Sequence, residues 1–274
     1  MKRFLALGAG VQSTTVLLMS CVGELPRLDG AIFADTGWEP KAVYVHLAWL
    51  EEEAAKYNIP VSRVSKGDLR ADALISRVRG TKVEGTRWAS MPLYTKVDGQ
   101  EKEGMIRRQC TNEYKIEPIQ KDLRARLGYE PRQVIPTAAI EQWFGISRDE
   151  MRRARISQVR WIINRYPLIF DVPKTRQQCL QWLAEHGYPE PPRSACIGCP
   201  FRSAFEWRQM RDERPEEWDD AVSFDKAIRN NGGLRGQVFL HRQCVPLDEV
   251  DLSTAEERGQ LSLWNNECQG MCGV

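Results

Sequence analysis

The sequence predicts an α/β fold in which a parallel sheet is flanked by helices. Three observations carry this. The short apolar run from Phe4 to Leu7 passes at once into Gly8-Ala9-Gly10-Val11-Gln12-Ser13-Thr14-Thr15, and then into the apolar helix start Val16-Leu17-Leu18-Met19. A second buried-looking strand, 30–34, ends at Asp35-Thr36-Gly37 and is followed by a helix from Pro40. A third strand, 61–64, follows that helix. Strand, helix, strand, helix, strand at this spacing requires parallel pairing, because each crossover is a helix long. The expected architecture is a Rossmann-like parallel sheet flanked by helices, with a helical, cysteine-bearing C-terminal extension. The α/β domain is expected over 1–170, and the extension over 171–274, packed on it.

Each element has a local reason. The helix after Pro40 starts on a residue suited to a first turn. Its inner face is Val43, Leu47, Leu50, Ala54 and Tyr57, at helical spacing. Residues 68–78 suit a helix. From 80 to 108 the chain is polar and irregular, and a loop this long inside a compact domain is usually functional or mobile. Cys110 opens a helix with the stripe Ile116, Ile119, Leu123 and Leu127. Residues 133–137 read as a strand. Gly145 marks a turn before a basic helix, and 161–170 holds a strand candidate broken by Pro167. Thr175-Arg176-Gln177-Gln178 is a capping box for a helix that stops at Gly187. A proline-rich loop over 189–200, two helices near 203–212 and 215–230, and a strand at 238–240 complete the chain before its cysteine-bearing tail.

The glycine turn has the geometry that presents backbone N–H groups and a helix dipole to a phosphate. The glycines allow close backbone approach, while Ser13, Thr14 and Thr15 add hydroxyl donors. By spacing alone the stretch also suits an ordinary strand-to-helix turn with a serine cap. Ligands of parallel sheets bind beyond the carboxyl ends of strands, where both this turn and Asp35-Thr36 fall. Their agreement favours a nucleotide.

The 274 residues carry 39 Lys and Arg against 37 Asp and Glu, a net charge of +2, so no global field draws in nucleic acid. Arginines do cluster locally, at Arg148, Arg152, Arg153, Arg155 and Arg160, which suits an anionic substrate or a solvated helix face. No apolar run approaches the roughly 20 residues that span a membrane. The start is not a signal peptide, and a cytoplasmic location is expected. There disulfides are disfavoured, so the eight cysteines point to metal or redox chemistry. Cys196-Ile197-Gly198-Cys199 is the strongest local signal. Two cysteines cannot complete a zinc or iron–sulfur site, so Cys110, Cys268 and Cys272 are the further candidates. Cys21 and Cys179 fall in helical patterns and read as small core residues; Cys244 is undecided. His46, His186 and His241 read as structural.

These motifs together resemble the phosphoadenosine phosphosulfate (PAPS) reductase family, within the PP-loop or adenine nucleotide alpha-hydrolase superfamily. Gly8-Ala9-Gly10-Val11-Gln12-Ser13 resembles its Ser-Gly-Gly-x-Asp-Ser loop. The stretch from Phe33 to Pro40 is similar to its Asp-Thr-Gly motif. Cys110 with Lys115-Ile116-Glu117-Pro118 resembles its Cys-Cys…Lys-Val-Glu-Pro segment, and Gly145-Ile146-Ser147-Arg148 its Gly-Ile-Arg-Arg segment. Cys196-x-x-Cys199 is similar to the second cysteine pair of iron–sulfur members, and Glu267-Cys268 to the catalytic tail. Two departures stand out. The tandem cysteine is here Cys110-Thr111, and the tail reads Glu-Cys-Gln-Gly-Met-Cys.

The resemblance implies an adenine-nucleotide-binding PP-loop-type domain and a [4Fe-4S] cluster on Cys110, Cys196, Cys199 and Cys272. ATP or a related nucleotide would lie on Gly8, Ala9, Gly10, Gln12, Ser13, Thr14, Asp35, Thr36 and Arg148, with Mg²⁺ on Asp35. Catalytic roles fall to Asp35, Arg148 and Cys268. The implied activity is ATP-dependent sulfur transfer, with AMP and pyrophosphate as products, to a nucleic-acid or small-molecule acceptor. Alternatives are a sulfonucleotide reductase using Cys268 and a thioredoxin-like reductant, or an inactive nucleotide or redox sensor. A homodimer is one assembly the sequence leaves open.

Overall fold

The computed structural model describes residues 1–77, 87–96, 104–234, 236–253 and 257. In chain order these form β1 (Lys2–Leu7), α1 (Val11–Val22), β2 (Gly30–Asp35), α2 (Lys41–Ala55), β3 (Val61–Ser65) and α3 (Leu69–Leu74). Four short strands follow: β4 (Ser76–Arg77), β5 (Arg87–Trp88), β6 (Tyr94–Lys96) and β7 (Gly104–Met105). A π-helical turn at Asn112–Ile116 leads into α4 (Glu117–Arg126). Then come β8 (Ile140–Phe144), a 3-10 segment at Arg148–Arg153, β9 (Ile162–Arg165), α5 (Pro167–Phe170), α6 (Arg176–Glu185), α7 (Ala204–Glu213), α8 (Pro215–Ile228) and β10 (Gln237–Phe239).

The central sheet has the order β3-β2-β1-β8-β9 and is parallel throughout. Its inner strands β1 and β2 carry apolar runs on both faces because both faces are covered there. Alternation decides which residue meets which layer. Leu5, Leu7, Ala31, Phe33 and Trp143 pack under α1, α2 and α6. Phe4, Ile32, Ala34, Ile140 and Ile162 pack on Ile119 and Leu123 of α4. A third core surrounds Trp38 and joins Leu69, Met91 and Tyr114 to Trp207, Phe224, Ile228 and Val238. Residues on both sides of position 170 therefore share cores. Among the described residues no helix is long and apolar enough to cross a membrane.

Several elements differ from expectation. The strand expected at 133–137 lies instead at Ile140–Phe144. Arg132 and Ala138 adopt φ of 72° and 55°, so the intervening stretch turns. Glu141 and Gln142 mask the true strand in the sequence, yet Gln142 is buried. The second candidate is confined to Ile162–Arg165, since Pro167 begins α5 instead of breaking a strand. The helix expected over 68–78 stops at Leu74, and Ser76–Arg77 pairs with Arg87–Trp88. Helix α2 ends at Ala55, so Tyr57 is on the surface at 37 % exposure and not on the inner face. The basic helix after Gly145 is a 3-10 segment that buries no residue. The capping box forms as expected: the Gln178 N–H donates to Thr175 Oγ1 at 3.2 Å, and the Thr175 N–H to Gln178 Oε1 at 2.8 Å.

Candidate nucleotide and cysteine site

The chain leaves β1 toward β2 on one side and meets β8 on the other. The carboxyl ends of β1 and β8 therefore flank the topological switch point of the sheet. The glycine turn occupies this place. Ala9 adopts φ 54°, which tightens the turn. Ser13 Oγ accepts from the Gly8 N–H at 3.2 Å and donates to the Gly10 carbonyl at 3.3 Å, folding the turn on itself. No side chain caps α1 at Gly10. A Cβ at Gly145 would lie 2.4 Å from Ser13 N, so α1 begins directly on the turn that follows β8. Gln12 Nε2 crosses the crevice, donating to Glu150 Oε2 at 3.1 Å and to Ser147 Oγ at 3.4 Å.

Of the residues expected around the nucleotide, Gly8, Ala9, Gly10, Gln12 and Ser13 build this turn. Thr14 does not. It is fully buried, and its hydroxyl lies 3.1 Å from His46 Nε2 inside the core. A helix turn rotates each successive side chain by about 100°, which carries Thr14 off the crevice face. Arg148 is exposed, and its N–H donates to the Lys174 carbonyl at 2.8 Å. Arg153 is the arginine tied to the turn: it meets Glu150 at 2.6 Å, and Glu150 accepts from Gln12.

At the end of β2, Asp35 is half-buried. Its Oδ1 accepts from the Gly37 N–H and from the Tyr44 hydroxyl, both at 2.8 Å. Burial, then the Asp35 hydrogen bond, raises the Tyr44 phenol well above its ordinary range. Thr36 is buried; its hydroxyl donates to Glu39 Oε1 at 3.1 Å and lies 3.3 Å from Cys196 Sγ. Glu39 is 4 % exposed, and its second oxygen has no hydrogen-bond partner among the described residues. Lys115, on the π-helical turn, reaches Glu39 Oε1 at 3.7 Å. Burial, then the Glu39 carboxylate, pushes the Cys196 thiol well up.

The cysteine loop is built onto these motifs. Ser194 donates its hydroxyl to the Gly8 carbonyl. The Ile197 N–H donates to the Trp38 carbonyl at 2.9 Å. Gly198 lies against Trp38, where a Cβ would fall 2.0 Å from the indole ring. Cys110 opens its helix with its N–H on the Ser90 carbonyl at 2.9 Å, and packs against the same core as Cys196. Cys199 and Cys244 both lie near Tyr94.

Among the described residues no three His, Cys, Asp or Glu side chains converge to hold a metal ion. Cys110, Cys196 and Cys199 are among the described residues, and Cys268 and Cys272 lie outside them. Burial pushes Cys21 up to about 11 and Cys179 up to about 12, in keeping with small core residues. Burial also holds His46 and His241 down at about 4. His46 stacks on Trp49 at 5.3 Å and His186 on Trp182 at 4.1 Å.

Sequence reading assigned no role to Glu39, Ser194 or Arg202. Glu39 carries a weak signal, a carboxylate between Trp38 and Pro40 in a motif at a strand end. Ser194 and Arg202 carry none, because their partners are set by the tertiary fold.

No protein-family profile matches the chain, and no curated protein matches it by sequence. Among solved structures, a phosphoadenylyl-sulfate (PAPS) reductase from Candida auris, in a phosphate complex, is similar at 15 % identity with a TM-score of 0.40; the match covers 70 % of this chain and 75 % of that one.

Proposed function

We propose that this chain is a PAPS reductase-like, adenine-nucleotide-binding enzyme that cleaves ATP to AMP and pyrophosphate during sulfur transfer. One observation supports it above the others. The cysteine loop is seated on both strand-end motifs at once, through Ser194 on Gly8 and Cys196 on Thr36. This seating supports a reading in which phosphate and thiol chemistry meet in one crevice.

In this reading the uncapped start of α1 offers N–H groups to the phosphates, within the turn from Gly8 to Ser13. Asp35 and Thr36 lie beside the nucleotide, with Mg²⁺ on Asp35. The ion would neutralise phosphate charge when bound. Arg148 and Arg153 stabilise charge that develops on the phosphate oxygens. An oxygen of a nucleic-acid or small-molecule acceptor attacks the α-phosphorus and pyrophosphate leaves. A sulfur nucleophile then displaces AMP from the acceptor. An iron–sulfur cluster would be held by Cys110, Cys196 and Cys199, either with one iron left open or with Cys272 or Cys268 as the fourth ligand, and no step above uses it.

The test is product analysis. ATP with sulfide and candidate acceptors should yield AMP and pyrophosphate in equal amounts. Sulfite release from labelled PAPS, with label trapped on Cys268, would instead assign the reductase chemistry with a thioredoxin-like partner. Nucleotide binding without turnover would leave the sensor. Iron content and visible absorbance of anaerobically purified protein, alone and with Cys268→Ser or Cys272→Ser, decide the cluster; a colourless, zinc-loaded protein removes it.

A further inference from the structure

The strap that carries the cysteine pair touches the nucleotide turn before it reaches Cys196. The Ser194 hydroxyl donates to the Gly8 carbonyl, across 186 residues of sequence. A Cβ at Gly10 would lie 3.1 Å from Ser194 Cβ. Gly10 has φ −100°, which any residue adopts. The close approach of Ser194, and not backbone strain, is what favours glycine there.

The strap is stiff beyond this point. Arg202, 6 % exposed, donates to three consecutive carbonyls: Ala195 at 3.1 Å, Cys196 at 3.0 Å and Ile197 at 3.1 Å. Ile197 and Gly198 are fastened to Trp38, and Cys196 to Thr36 and Glu39. A shift at Ser194 is therefore transmitted to the Cys196 thiol and is not absorbed by slack.

We propose that Ser194 is a further ligand-binding residue. Its hydroxyl exchanges the Gly8 carbonyl for a phosphate oxygen of the nucleotide, and so couples occupancy of the turn to the seating of Cys196. A serine hydroxyl donates one proton, so bonding to phosphate means leaving the Gly8 carbonyl, and the strap shifts at Ser194 as that tie is released. The coupling is reciprocal, as any linkage between two sites must be. The proposal rests on the nucleotide reading of the glycine turn.

The experiment is hydrogen–deuterium exchange of the full chain, with ATP and separately with pyrophosphate, beside a calorimetric Kd for each. ATP should slow exchange in residues 8–14 and in 194–200. Ser194→Ala should bind ATP about ten-fold more weakly. It should keep the slowing at 8–14 and lose it at 194–200. Gly10→Ala, which crowds Ser194, should weaken ATP binding more in the native background than combined with Ser194→Gly. Slowing at 8–14 alone in the native protein would overturn the coupling while leaving the nucleotide site. An unchanged Kd for Ser194→Ala would overturn the contact. Binding of neither ATP nor pyrophosphate would overturn the nucleotide reading and the coupling together.

Discussion

Gly145→Ala is the sharpest perturbation of the crevice. The new methyl would lie 2.4 Å from Ser13 N, 2.6 Å from Ser13 Cα and 2.8 Å from the Gln12 carbonyl carbon. All three are backbone atoms, so no side chain can rotate away. The start of α1 must retreat by about 1 Å to reach ordinary contact in a close-packed interior. Overpacking of this kind costs about 1–3 kcal/mol. For a chain of this size that is a fall in Tm of about 3–10 °C. The same displacement moves the N–H groups proposed to hold phosphate. A 1 Å misplacement costs on the order of 10²-fold in rate. Thermal unfolding with and without ATP, beside AMP release, separates the two effects. ATP should raise the Tm of the native protein and fail to raise that of the variant. A variant with native Tm and native ATP response would show that α1 does not rest on Gly145, and the crevice described here would be wrong.

Two further outcomes follow from the same geometry and electrostatics. Gly198→Ala places a methyl 2.0 Å from the Trp38 ring, so it should unseat the cysteine loop and speed alkylation of Cys196, with native alkylation rates as the contrary result. Stability should fall as pH drops from 6.5 toward 4, because burial holds His46 and His241 at about 4 while the unfolded chain already binds those protons. The slope reaches about 1.4 kcal/mol per pH unit for each histidine. Urea midpoints at pH 7, 6 and 5 read it, and His46→Gln should remove close to half; an equal slope in the variant would contradict the buried, neutral imidazole.

Much of the sheet was legible because its signals are local. The run from Phe4 to Leu7 and the one from Gly30 to Ala34 are apolar on both faces and end in turn residues, which is how a doubly covered parallel strand must read. β8 was misplaced because two of its five residues, Glu141 and Gln142, are polar, and their shelter comes from neighbours distant in sequence. Thr14 reads as a nucleotide residue from its place in the glycine turn, but its partner His46 lies on another helix. Glu39, Ser194 and Arg202 share that cause. Each acquires its partner only when Cys196 and its neighbours are brought to the ends of β1 and β2.

By itself, then, the amino-acid sequence determined the first three strands with their intervening helices, the glycine turn and the cysteine pair, since each depends on the propensities and spacing of adjacent residues. Tertiary structure alone decided that Gly145 supports α1, that Ser194 meets Gly8, and that Cys196 lies against Thr36 and Glu39. Those contacts span from over 100 to nearly 190 residues. They form only when burial of the shared cores draws distant segments together, a consequence no local pattern encodes.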